Sequence, residues 1–265
     1  SEGGERIEHR LQALQDAGHP LVKIELRDKL DLGLEFFRWE LATATAGAIL
    51  GINPFDQPNV QESKDNTNRL LAKHQSEGRL AEGAAAAESD GLRLYCDPAT
   101  HRALAGIREA SLADSLAAFL GQARRGDYVA LLAYIEACSE NDALLHLLRV
   151  RLRDALRLAT TAGYGPRYLH STGQLHKGGP NTGLFIEITA GDAEDLPVPG
   201  EPYSFAVLNQ AQALGDFQSL VSKGRRVVRL HLEKDVQAGL NRLVGVVEEA
   251  LGKMRATGAG PGAGS

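Results

Sequence analysis

GLFIEIT, residues Gly183–Thr189, is the stretch whose reading decides how this chain folds. It is too short for a stable helix, and it carries two isoleucines, a threonine and a phenylalanine, the residue types that suit a pleated strand. Four further segments of this kind occur: Leu21–Leu26 (LVKIEL), Leu92–Cys96 (LRLYC), Tyr128–Ile135 (YVALLAYI) and Arg226–Leu232 (RVVRLHL). In YVALLAYI the Ala and Leu residues suit a helix equally well. Helical sequence separates the five candidates. Strands alternating with helices imply a mostly parallel sheet with helices on both faces. The expected fold is therefore α/β, a three-layer αβα sandwich around a five-stranded sheet.

The intervening helices show as stripes. Leu32–Leu50 carries Leu34, Phe37, Leu41 and Ala48. Ser111–Ala123 opens with an S-x-x-D start signal, Ser111 and Asp114. Asp142–Thr161 aligns Leu144, Leu145, Leu148, Leu152, Leu156 and Ala159, and Lys234–Met254 aligns Val236, Leu240, Leu243, Val247 and Leu251. Ser204–Ser222 follows a Pro-Gly-Glu-Pro loop. Residues 1–19 read as a helical lead-in and 20–254 as one domain. Within it, 75–91 (QSEGRLAEGAAAAESDG) is a low-complexity connection or frayed helix. The Gly/Ala/Pro-rich tail, residues 255–265, is expected to be disordered.

Composition excludes several classes. The 265 residues hold 29 Lys+Arg against 34 Asp+Glu, a net charge of −5, so the chain lacks the basic footprint of a nonspecific nucleic-acid binder. Aromatics are 5%, too few for a base-stacking platform. Cys96 and Cys138 make neither a disulfide framework nor a four-ligand metal site, which fits a reducing cytoplasm. No run reaches the ~18 apolar residues that cross a bilayer, and the polar start SEGGERIEHR has no signal-peptide core. The expectation is a cytoplasmic protein with no membrane or nucleic-acid partner. The first residue is not Met, so the chain is processed or is a piece of something longer.

Two loops carry chemistry. The first is Gly51–Lys64, GINPFDQPNVQESK, whose two prolines bar a helix or central strand. Asn59 and Glu62 read as a capping box, which starts a helix near Val60 and puts Lys64 in its second turn. Gln57, Lys64 and the free N–H groups of a helix start suit a phosphate or sugar oxygens. The same residues also suit a capped helix with a solvated lysine. The second loop is Gly163–Gly183, GYGPRYLHSTGQLHKGGPNTG, with six glycines and two prolines. Its glycines permit close backbone approach, and it holds His170, Ser171, Thr172, Gln174, His176 and Lys177, of which the hydroxyls, the amide and the imidazoles are side chains that read a sugar. It also suits a long polar connection. Neither nucleotide-loop spacing is present, and His170 and His176, with no third ligand, make a poor zinc site.

At these loops the sequence resembles a family. GINPFDQPNVQESK is similar to the C-terminal F-D-Q-x-G-V-E-x-x-K signature of glucose-6-phosphate isomerases. Phe55, Asp56, Gln57, Val60 and Lys64 match, while Asn59 replaces Gly and Gln61 replaces Glu. LHSTGQ, Leu169–Gln174, is similar to the family's L-H-S-x-G-Q stretch. The longer run to Gly183 most resembles the isomerase part of fused transaldolase–glucose-6-phosphate isomerases. The motif order is reversed from that of ordinary isomerases, as if permuted.

The resemblance implies a sugar-isomerase (SIS)-like fold and an aldose–ketose isomerase acting on glucose 6-phosphate and fructose 6-phosphate without metal or other cofactor. It implies that Lys64 and His170 are catalytic in ring opening and that Gln57, Ser171, Thr172 and Gln174 bind substrate. It also implies homodimerisation, with the histidine donated across subunits, and an upstream SIS domain that holds the phosphate loop and the glutamate base. Neither of those upstream motifs is in this chain, so the isolated chain is expected to be inactive. The chemistry suits the residue types. An imidazole, with an ordinary pKa of ~6.5, suits proton transfer during ring opening, and an ammonium suits stabilisation of developing oxyanion charge. The competing reading is a noncatalytic sugar-phosphate-binding SIS module; a scaffold domain would bind no sugar phosphate.

Overall fold

The computed structural model describes residues 2–56, 58–104, 110–191 and 194–258. It divides into two compact units, Ser1–Asp56 and Gln57–Ser265.

The first unit holds helices α1 (Glu2–Asp16) and α2 (Asp31–Leu50). Between them LVKIEL is not the expected strand: residues 21–26 pair with no other strand. A strand is stable only when its backbone groups find a ladder, and this unit offers none. Lys23 instead meets Glu8 of α1 at 2.8 Å. Helix α2 ends where Gly51 takes the left-handed conformation, φ 69°.

The second unit contains the sandwich. In chain order it runs α3 (Pro58–Glu77), β1 (Ala87–Ser89), β2 (Leu92–Cys96), α4 (Pro98–Leu104), α5 (Leu112–Leu120), β3 (Tyr128–Tyr134), α6 (Ser139–Leu156), β4 (Ala159–Tyr164), a 3₁₀ turn (Arg167–His170), α7 (Gly173–Gly178), β5 (Gly183–Ala190), α8 (Phe205–Ser222), β6 (Arg226–Leu232) and α9 (Val236–Thr257). The sheet has six strands in the order β1-β2-β6-β5-β3-β4. The run β6-β5-β3-β4 is parallel, and β1 and β2 join antiparallel.

Two strands replace the expected 21–26. β4 occupies the end of the segment read as one helix over 142–161. Helix α6 stops at Leu156 because Arg157 turns left-handed at φ 56°, and the β-branched Thr160 and Thr161 then pair with β3. β1 lies inside the low-complexity stretch, where Ala87 pairs with Leu94. Other boundaries follow the sequence. Ser111 and Asp114 form a full capping box on α5. Gly258 closes α9 after Thr257, so Ala256 and Thr257 are helical; the tail from 259 lies outside the described residues.

Alternation along β5 sorts the layers. Leu184, Ile186 and Ile188 face α5, α6 and α9 across an apolar core that includes Leu116, Phe119, Leu148, Leu152 and Leu243. Phe185 faces the other way, with Leu132, Tyr134, Tyr168, Ala213 and Leu220. Glu187 alternates onto this second face, where α3, α7 and α8 pack. No helix of the described residues is long and apolar enough to cross a membrane.

Candidate functional site

Helix α3 begins at Pro58, where proline's missing N–H costs nothing. Asn59 therefore lies inside the helix and is not the expected N-cap. Its backbone N–H donates to Gln174 Oε1 (3.1 Å), and its Oδ1 accepts from Gln174 Nε2 (2.8 Å). Glu62 takes bonds from Asn59 Nδ2 (3.2 Å) and Ser219 Oγ (2.9 Å), with Lys223 Nζ at 2.8 Å. Burial pushes the Glu62 carboxyl up, but Lys223, Ser219 and Asn59 outweigh it and hold it below the usual range. Ser63 and Thr67 point into the unit, and Lys64 is exposed. Gln57 lies outside the described residues.

The histidine loop leaves the carboxyl end of edge strand β4 through the 3₁₀ turn and returns along α7. His170 and Ser171 are exposed; Thr172 and Gln174 are half-buried. Ser171 Oγ and Thr172 Oγ1 donate to the Tyr168 carbonyl at 3.2 and 3.4 Å, so these hydroxyls brace the turn. Three of the loop's glycines have internal reasons. A Cβ on Gly163 would meet Tyr168 Cβ at 2.8 Å, one on Gly165 the Tyr134 ring at 2.5 Å, and one on Gly178 the Gln174 amide at 2.6 Å. Those glycines make room for this chain's own side chains.

The two loops read separately in sequence thus share a seam between α3 and α7, and beneath it lies a buried ionic cluster that sequence reasoning missed. Lys177, 3% exposed, forms an ion pair with Asp216 of α8, 1% exposed, and donates to Ser63 Oγ. Tyr168 OH donates to the other Asp216 oxygen. Arg225 Nη2 donates to the Lys177 and Gly179 carbonyls at 2.6 and 2.7 Å, tying α7 to the start of β6. His176 is buried beside Lys177, with Nδ1 2.8 Å from Tyr128 OH; burial lowers its pKa to about 4, so it stays neutral.

Glu187 sits level with Leu132 on one side and Arg229 on the other. It is 0% exposed, and neither carboxyl oxygen has a hydrogen-bond partner among the described residues. Burial first, and the Asp216 charge second, push its pKa well above the carboxylate range, against the pull of Arg229 and Lys177. On that basis the buried Arg225, held by carbonyls, has no counter-charge among the described residues, and the other ions are paired. Lys177 faces Asp216, Arg229 Nη1 reaches Glu82 at 3.3 Å, and a neutral Glu187 needs no counter-charge. One sequence signal marks this residue: an acid in the middle of GLFIEIT, a strand otherwise apolar on both faces. Lys177 looked like any lysine in a polar loop. No group of three or more His, Cys, Asp or Glu suited to a metal occurs among the described residues.

No family model matches the chain. Short stretches are similar to glucose-6-phosphate isomerases. That of Enterococcus faecalis is 40% identical over 69 residues, 25% of this chain and 15% of that protein. That of Leptospira biflexa is 39% identical over 74 residues, 27% and 16%. That of Streptococcus equi subsp. zooepidemicus is 43% identical over 65 residues, 24% and 14%. The matches thus span about one sixth of the length of these curated relatives. Among solved structures, a hypothetical protein from Thermus thermophilus superposes with a TM-score of 0.50 at 17% identity, covering 61% of this chain and 43% of that one. This second likeness is one of fold.

Proposed function

We propose that this chain is the C-terminal part of a glucose-6-phosphate isomerase of the transaldolase-fused type, interconverting glucose 6-phosphate and fructose 6-phosphate. The observation that carries the reading is the α3–α7 seam, where Asn59 of the first loop pairs with Gln174 of the second. It joins the helix bearing Lys64 to α7, the helix that follows the turn bearing His170, in a chain of which a quarter is similar to that isomerase.

In this reading the exposed neutral His170 imidazole serves ring opening by taking the proton of the anomeric hydroxyl and delivering it to the ring oxygen as the ring C–O bond breaks, while the Lys64 ammonium beside it stays charged. Lys64 then steadies charge on the enediol oxygens. The proton moved between C2 and C1 needs a carboxylate in contact with the sugar. Glu187 and Asp216 are sealed from solvent and cannot reach it. In this reading the base comes from an upstream SIS domain, and a homodimer completes the site.

A coupled assay on the 265-residue chain, repeated with the upstream portion added in trans, tests this. The chain alone should not turn over fructose 6-phosphate, and the complemented mixture should. Substantial turnover by the chain alone would place the base among its own carboxylates and overturn the half-site reading. In the full-length enzyme, His170→Ala and Lys64→Ala should each lower kcat by roughly ten- to a thousandfold. Stability should stay within about 0.5 kcal/mol, as for exposed side chains. If the parent sequence has no glutamate motif, the chain is a noncatalytic sugar-phosphate-binding module.

A further inference from the structure

We propose that Lys177, Asp216, Ser63 and Tyr168 form a positioning clamp that sets the His170 loop against the helix carrying Lys64. The inference rests on the isomerase reading of that site.

Both ends of the loop close on one carboxylate. Tyr168, two residues before His170, donates to one Asp216 oxygen, and Lys177, at the far end, pairs with the other. The same ammonium donates to Ser63, the residue preceding Lys64. Four elements, α3, the 3₁₀ turn, α7 and α8, therefore meet at a single ion pair. The Asn59–Gln174 amide pair fastens the same seam nearer the surface. Neither Lys177 nor Asp216 touches solvent, so neither contacts substrate; whatever they do for the reaction they do through His170 and Lys64.

Physical cost argues for this role. Burying a charge pair is no more stabilising than filling the space with apolar side chains. An ion pair is directional, however, and a one-turn slip of α7 along α3 would leave a charge unpaired in the core. A loop pinned at its base also loses less freedom when it orders on a ligand. Ring opening needs two groups held at fixed separation around one sugar, and misplacement by ~1 Å can cost about a hundredfold in rate.

The test uses the full-length parent enzyme, with fructose 6-phosphate as substrate. The double variant Lys177→Met/Asp216→Leu removes both charges at similar volume but leaves the buried Tyr168 hydroxyl without its acceptor, so it should fold and melt within several degrees of wild type. If the pair is a clamp, kcat falls about ten- to a hundredfold while KM moves less than about threefold. Amides of residues 169–178 should lose hydrogen-exchange protection while those of α9 keep theirs. A folded double variant with wild-type kcat overturns the proposal. Should that variant not fold, Ser63→Ala decides. It takes one acceptor from the buried Lys177 ammonium, which should lower the melting temperature by a few degrees without unfolding the protein, and it should lower kcat at least about threefold, as a smaller misplacement would; unchanged kcat overturns the clamp. A wild-type parent that neither binds nor isomerises fructose 6-phosphate overturns the functional reading, and the clamp with it. That failure shows before any substitution is made, so the two are distinguishable.

Discussion

The two faces of the sheet are built from the same strands on different terms. Toward α5, α6 and α9 the inward side chains are Leu, Ile, Val, Ala, Phe and Met. Toward α3, α7 and α8 the strands present Glu187, Thr189, Arg229 and His231 beside their apolar residues, and the helices answer with Lys177 and Asp216. The first face can tolerate small shifts, because dispersion and hydrophobic burial are nondirectional. The second cannot, because each ion there depends on a partner at one position. The directional face is also the one over which the His170 loop and α3 lie. The labour is divided, with stability drawn mainly from one side and geometry from the other.

Substitutions on each face can break this comparison. The largest loss should come from Asp216→Ala, which strands the Lys177 ammonium and should cost about 3–5 kcal/mol in urea unfolding. Leu148→Ala, on the apolar face, should cost about 2–5 kcal/mol as a cavity. The two should differ in cure: pairing Asp216→Leu with Lys177→Met should restore part of the stability, the unpaired Tyr168 hydroxyl still costing about 1–3 kcal/mol, whereas no charge change should rescue Leu148→Ala. If Asp216→Ala proved as mild as a surface change, the ionic face would not be a buried one.

The pH dependence sharpens the contrast. Glu187 has a folded pKa raised above the unfolded value of ~4.3. The stability it contributes is fully present below that value and is lost as pH rises through the folded pKa. His176, lowered from 6.5 to about 4, acts oppositely, with stability lost as pH falls from about 6.5 toward 4. Above neutral pH only the Glu187 effect of the two remains. Between pH 7 and 9, Glu187→Gln should therefore gain on wild type by up to ~1.4 kcal/mol per pH unit until the folded pKa is reached. Urea midpoints across that range check it, and parallel curves would mean that Glu187 is ionised in the fold. The smallest effect is on the apolar side. Ser111→Ala, which removes the α5 capping box, should cost about 1 kcal/mol. It should leave the exchange protection of residues 169–178 unchanged.

Part of this architecture was legible in the residues alone. LRLYC, YVALLAYI, GLFIEIT and RVVRLHL are strands because each concentrates residues that pack on both faces of a covered sheet, a property carried locally by side-chain shape. Helices α6 and α9 announced themselves by apolar stripes, α5 by its cap and α8 by the Pro-Gly-Glu-Pro loop before it. The α/β class and its parallel centre follow from that alternation. Pairing was not local. LVKIEL has a strand's composition and no ladder, while ATTAGY has little bulk and gains one because Arg157 turns the chain back beside β3. Nor could the sequence distinguish Lys177 from Lys64. Lys64 reads as a residue of a helix's second turn and Lys177 as one of a polar loop, and neither reading says which is buried; only tertiary packing puts α8 and Asp216 over one of them and leaves the other in water. The same packing, 115 residues apart along the chain, paired Asn59 with Gln174 in place of the local cap. Side-chain type and spacing set what each segment prefers by itself. Which polar groups are buried, and with whom, depends on desolvation and partners from distant segments, and the three-dimensional fold alone decides those.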